Sequence, residues 1–176
     1  MEKWDRCGDP PIHPAALAGR ECRAGLDLST TTDLSALVLV FRDEDDGYTL
    51  LPFAFCPADT IHERQRRDRV DYGTWREKRL LIATEGNTVD HEAIRRKIHE
   101  LARVYRIREL AYDRWNSSML INQLVNDGLT CVPVAQSNGA MNAPARELER
   151  VLAAGTLRHG ANPISVSYTH LRAHET

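Results

Sequence analysis

An α/β domain on a mixed sheet, an antiparallel three-strand meander followed by α/β crossovers, is the architecture this sequence predicts. Three observations carry it. Strand-like runs at 23–28, 35–42 and 48–55 follow one another with only short polar turns between them, which suits antiparallel neighbours. Beyond Asp90, segments with apolar residues at helical spacing alternate with short apolar runs, as crossover connections do. A chain of 176 residues with 42% hydrophobic and 27% charged content suffices for one domain with a real core.

Residues 1–21 hold Pro10, Pro11 and Pro14 and show no sustained period, so they read as a linker or arm. The Ser/Thr/Asp-rich stretch after Leu28 turns the first strand into the second. Asp43-Glu44-Asp45-Asp46-Gly47 is a hairpin turn between the second and the third. Pro57 opens a polar helical segment over 58–69, a short helix follows around 72–77, and 80–84 fits a short strand. Asp90 is placed to cap an amphipathic helix whose stripe is Ile94, Ile98, Leu101 and Tyr105. Strand 107–113, helix 117–127 ending at Gly128, strand 130–135 and helix 144–154 complete the order. Pro144 sits at a tolerated first-turn position of that last helix and Gly155 stops it.

Several classes are excluded. No apolar run approaches the roughly 20 residues of a membrane span, and the polar N-terminus is not a secretory signal. A net charge of −2, from 23 basic and 25 acidic residues, argues against a dedicated DNA-coating protein but not against an enzyme with a local basic face. Cys7, Cys22, Cys56 and Cys131 show no metal-box spacing and read as free thiols of a reducing compartment. No phosphate-binding Gly-x-x-x-x-Gly-Lys-Ser/Thr loop occurs.

Two acids stand out. Asp27 ends the apolar run Ala24-Gly25-Leu26, and Asp113 ends Leu110-Ala111-Tyr112. A carboxylate among apolar neighbours costs desolvation unless it is paired or binds a metal. The element order matches the ribonuclease H-like fold, whose first strand is central with the fourth parallel beside it. With 107–113 as that strand, Asp27 and Asp113 meet at adjacent strand ends. Two such carboxylates suggest a divalent-metal site that cleaves phosphodiesters.

The chain also resembles the nuclease domain of the large terminase subunit of tailed bacteriophages. The matching pieces run in family order: Gly25-Leu26-Asp27-Leu28-Ser29 with Thr31-Thr32-Asp33, then Phe55-Cys56-Pro57 with Asp59-Thr60-Ile61. Next come Trp75, Thr84, Gly86-Asn87 and Val89-Asp90, then Ala111-Tyr112-Asp113-Arg114-Trp115-Asn116. Glu147-Leu148-Glu149, Gly155-Thr156-Leu157-Arg158-His159-Gly160 and Asn162-Pro163 close the set. The resemblance covers about 22–164. It implies a metal-dependent endonuclease that cuts concatemeric viral DNA during packaging. It implies further that residues 1–21 connect to an ATPase half absent here. Double-stranded viral DNA, the terminase small subunit and the portal protein are the implied partners, and the host bacterial cytoplasm, transiently at the procapsid portal, is the implied location.

From about residue 165 the chain departs from that family, which continues with a strand and a helix bearing a third acid. Ser165-Val166-Ser167-Tyr168-Thr169-His170-Leu171-Arg172 and the residues after it read as the in-frame translation of a sequencing-library adapter. Residues 165–176 are therefore expected to be non-native, and their histidines are not counted as ligands.

Hard oxygen ligands suit Mg²⁺ or Mn²⁺. By the resemblance Asp27 is the central ligand and Asp113 binds one ion of a two-ion site. Without the third acid, metal affinity should be poor, like-charge repulsion uncompensated, and cutting by this chain weak or absent. Blander readings stand beside each assignment. Asp27 is otherwise a turn residue bonding backbone amides, and Asp113 a helix cap or a partner of Arg114. Asp33 either caps the turn or joins the metal. Ser29, Thr31 and Thr32 either contact phosphate or satisfy a polar turn, and Trp115 is core or a base platform. Arg64, Arg66, Arg67 and Arg69 either grip DNA phosphates or form a solvated helix face; Arg146 and Arg158 are weaker candidates of that kind. Two rival functions remain: a non-catalytic DNA- or portal-docking fragment, and a phosphate-binding domain of the actin-like or sugar-kinase type, which lacks its second Gly-rich loop here.

Overall fold

A computed structural model describes residues 2–29, 34–114 and 118–165. Strand alternation sets the sheet. In β2 (Ser35–Arg42) Leu37, Leu39 and Phe41 are fully buried, while Ala36, Val38 and Val40 face the other way and are half-buried. β1 (Glu21–Asp27) buries Cys22, Ala24 and Leu26 on the same side. β3 (Tyr48–Pro57) pairs antiparallel with β2, and β2 with β1. Three further strands, β4 (Leu81–Thr84), β5 (Arg106–Asp113) and β6 (Cys131–Val134), add in parallel. Among the described residues the sheet has seven strands, six of them in the order β4-β3-β2-β1-β5-β6, and the two-residue β7 (Leu157–Arg158) also pairs with β3. Both expected features hold: the meander comes first, and the strand carrying Asp113 lies parallel beside the interior β1.

One face of the sheet is closed by α4 (His91–Val104) and α5 (Ser118–Asn126). Ile94, Ile98 and Leu101 of the first, with Leu120, Ile121 and Leu124 of the second, pack on Leu26, Leu37, Leu39, Phe55 and Leu110. The Asp90 carboxylate accepts from the amides of Glu92 and Ala93 at 2.9 and 3.1 Å, so it is the helix cap its position predicts. The opposite face is covered at its β3–β4 side by α2 (Ile61–Asp68) and α3 (Tyr72–Glu77). There Ile61, Tyr72 and Trp75 pack on Ala54, Cys56 and Leu81.

Residues 2–20 lie against this body. α1 (Glu2–Arg6) stacks the Trp4 ring on His159 with centroids 4.3 Å apart, Cys7 is buried, and Leu17 joins the main core. The Gly19 amide donates to the Val104 carbonyl and the Arg106 amide to the Arg20 carbonyl, so the segment runs directly into β1.

Three local departures have simple causes. The last long helix, α6 (Asn138–Ala154), starts before Pro144 because the Ser137 hydroxyl accepts from the Ala140 amide and caps it earlier, leaving Pro144 inside the helix. The third strand runs on through Pro57, and a 3-10 turn at Ala58–Thr60 precedes α2. Gly47 ends its hairpin turn for want of space, since a Cβ there would stand 2.1 Å from the Thr156 carbonyl oxygen. That carbonyl takes the Tyr48 amide and leads into β7.

Candidate active site

Parallel pairing of β1 with β5 sets Gly25 beside Ala111 and Leu26 beside Tyr112. One residue further along both strands, Asp27 and Asp113 end their strands side by side, and both line one open cleft of about 280 Å³. Small residues make that cleft. Gly25, Ala36 and Ala111 leave the sheet surface low around the two carboxylates, and Val38 and Val134 flank it. A neighbouring cleft of about 280 Å³ shares Asp27 and is otherwise mostly apolar, with Leu34, Ala54, Leu80 and Ile164 in its wall.

The burial expected of these two acids is not found at Asp27. Asp27 is exposed, not embedded, because strand alternation sets it on the face with Glu21, Arg23 and Gly25, away from buried Cys22, Ala24 and Leu26; Asp113 is half-buried. No desolvation cost attaches to Asp27. The physical tension is instead between two like charges on adjacent strands. Among the described residues Asp27 contacts no basic side chain. Among the described residues the Ser29 hydroxyl, two residues on, is buried without a hydrogen-bond partner, while the Ser29 amide donates to Ser35 Oγ at 3.1 Å.

The chemistry of this donor set fits a hard cation: two carboxylates, with no sulfur or imidazole in the cleft. Among the described residues no group of three or more His, Cys, Asp or Glu side chains converges to hold a metal. Asp33 lies outside the described residues, as do Thr31, Thr32 and Trp115. Gln136, two residues past the end of β6, lines the cleft with both aspartates, and Asn162 and Ser165 line its neighbour. Nothing local marks Gln136 in the sequence. Its signal is positional, since it follows a strand that ends level with Asp113, paired there through Val134.

The basic stretch is not one solvated face. Arg64 is 3% exposed, and its terminal guanidinium nitrogens have no hydrogen-bond partner among the described residues. The first helical turn packs inward through Ile61, and Arg64 follows it three residues later on the same side, so it cannot lie on an outer, phosphate-facing surface in this conformation. Arg66 and Arg69 are exposed. Arg67 binds Asp68 at 2.6 Å, and Tyr72 donates to the same carboxylate at 2.8 Å. Burial alone would raise the Asp68 carboxyl, but those two donors outweigh it and hold the group below its ordinary range. Arg158 is tied to Asp43 and Asp45 at 3.0 and 2.6 Å, at the Tyr48 end of β3, far along the strand from the Ala54 that pairs beside Ala36. Arg146 is exposed on α6.

The family model for the terminase large subunit, endonuclease domain, matches residues 1–173. The large terminase subunit of Enterobacteria phage HK97 is 32% identical over 163 residues, covering 92% of this chain and 32% of that protein. Protein YmfN of Escherichia coli (strain K12) is 25% identical over 172 residues, 93% of this chain and 38% of its own length. The crystal structure of the HK97 bacteriophage large terminase superposes with a TM-score of 0.82 at 32% identity, over 93% of this chain and 34% of that one. The chain thus spans about a third of the length of these relatives.

Proposed function

The chain belongs to the family of terminase large-subunit endonuclease domains, and we propose that it cuts concatemeric viral double-stranded DNA in a reaction dependent on Mg²⁺ or Mn²⁺. One observation supports this reading above the others: Asp27 and Asp113, 86 positions apart in sequence, end adjacent parallel strands and line one cleft open to solvent. Asp27 would be the central ligand and Asp113 the ligand of one ion, with Asp33 a further candidate. Bound there, the ions would supply an activated water and charge relief on the leaving oxygen. The chain's own part is to hold two hard donors on rigid strand ends. Its low, small-residue floor leaves room for a phosphodiester, and the Gln136 amide stands at the same cleft to orient water or phosphate. In the whole protein the partners would be the small terminase subunit and the portal, met in the host cytoplasm at the procapsid.

Nicking of supercoiled plasmid in Mn²⁺ tests the assignment. The chain should nick slowly, and Asp27→Asn or Asp113→Asn should abolish nicking while circular dichroism stays unchanged. Persistent cutting by Asp27→Asn would refute the site. A second reading, a DNA- or portal-docking module without catalysis, is favoured by the lack of a third converging carboxylate among the described residues. Salt-sensitive DNA binding with an uncut plasmid in Mn²⁺ would select it.

A further inference from the structure

Several arginines of this chain are held by carboxylates. Arg20, Arg23, Arg42, Arg95, Arg108, Arg150 and Arg158 all contact carboxylates, most of them on another element. The α2–α3 pair brings several cations without such a contact together within 14 residues. Arg66, Arg69, Arg76, Lys78 and Arg79 are all exposed, and among the described residues none of them forms an ion pair. The acids of the same stretch offset them only in part. Asp68 is held by Arg67 and Tyr72. Asp71 caps α3, accepting from the Thr74 amide and hydroxyl at 3.0 and 2.6 Å. Only Glu63 and Glu77 remain as exposed carboxylates without such a task.

Two of these cations sit where the backbone disfavours them. Arg69 ends α2 at φ 55° and Arg79 follows α3 at φ 57°, both in the left-handed region that glycine occupies without steric cost. The positions that bracket α3 thus carry long cationic side chains where the chain would accept Gly more easily. Their platform is rigid. Tyr72 and Trp75 are buried and meet edge to face at 5.3 Å, the Gly73 amide donates to Gln65 of α2, and the Leu80 amide donates to the Trp75 carbonyl at 2.9 Å. Leu80, immediately after Arg79, lines the cleft that Asp27 shares. Arg79 is thus next in sequence to a wall residue of the cleft that Asp27 also lines.

We propose that the outer surface of α2–α3, through Arg69 and Arg79 with Arg66, Arg76 and Lys78, grips the phosphate backbone of double-stranded DNA and leads it to the Asp27–Asp113 cleft. This rests on the nuclease reading and adds the surface that holds the substrate. Phosphate contacts displace condensed counterions, so each contributes a slope of about 0.9 in log K against log salt, or about eightfold in affinity at 0.1 M salt.

The test is salt-dependent binding of the full chain to a DNA duplex in EDTA, where no cutting intervenes. The pair Arg69→Gly with Arg79→Gly removes two charges while easing the backbone, and an Asn pair, also at home in the left-handed region, guards against a folding effect. Both pairs should lower the salt slope by about 1.8 and the affinity at 0.1 M salt by up to about 60-fold. The control pair Arg103→Ala with Arg106→Ala makes the same change in charge at the far end of α4 and the start of β5, and should leave the slope unchanged. An unchanged slope in the Gly and Asn pairs, or an equal loss in the control, overturns the proposed surface. Plasmid nicking by Asp27→Asn judges the catalytic site separately, so the surface can fall while the nuclease assignment stands, and the reverse.

Discussion

Replacing Asp27 with Asn should stabilise the metal-free protein and remove its stabilisation by Mg²⁺ or Mn²⁺. Neighbouring strands lie about 4.8 Å apart, so side chains at level positions of β1 and β5 place their carboxylates roughly 5 Å from each other. Asp27 is exposed, so the dielectric of water applies, and two unit charges then repel by about 0.8 kcal/mol. That agrees with the 0.2–1 kcal/mol typical of cross-strand charge pairs. For a chain of this size 1 kcal/mol moves the midpoint by about 2–4 °C, so the variant should melt about 2–3 °C higher without metal. A cation at ten times its Kd stabilises the wild-type chain by about 1.4 kcal/mol, or about 3–6 °C, and the variant should lose most of that gain. Thermal unfolding followed by circular dichroism, with EDTA and then with Mn²⁺, reads both effects. The reasoning fails if Asp27→Asn melts lower without metal, or if it keeps the full rise in Mn²⁺. The first result would mean that the two carboxylates do not repel each other, and the second that they share no cation.

Two other outcomes follow from single side chains. Arg95 holds Asp127 through two 2.7 Å hydrogen bonds, and with help from His99 it pulls that carboxyl from 3.8 to about 2. A folded value below the unfolded one stabilises fully above about pH 4, and the contribution is lost as pH falls through about 2. Arg95→Ala should therefore flatten the fall in stability between pH 4 and 2, measured by urea unfolding at stepped pH. Arg64 carries a buried guanidinium whose terminal nitrogens are unpartnered among the described residues, so Arg64→Met should raise stability by about 1 kcal/mol or more in urea. A loss of that size would reveal a partner, such as a bound water, for the guanidinium.

Fold and site were legible to different depths. The period-2 burial of Leu37, Leu39 and Phe41 and the helical stripe Ile94, Ile98, Leu101 sit in the sequence as patterns, and the structure follows them because each element must bury one face. The two-residue β7 was invisible, since its pairing with Tyr48 and Thr49 is a long-range contact with no period of its own. The early start of α6 depended on one hydroxyl, Ser137, which competed with a proline as the boundary signal. Arg64 shows the limit of composition. In a run of four arginines nothing local says which one turns inward, because that choice belongs to the packing of α2 on β3.

What the residues alone determined is the kind of parts: β-rich runs ended by acids, an Asp90 cap, and an order of strands and helices that admits few sheets. Local sterics and the need to bury apolar surface act within a few residues, so they can be read from the chain. What only the tertiary structure decided is adjacency. The parallel docking of β5 on β1 brings Asp27 level with Asp113, and that of β6 on β5 adds Gln136 to their cleft. These are relations between segments far apart in the sequence, set by the registry of hydrogen bonds and the packing of side chains across the sheet, and no local interaction encodes them.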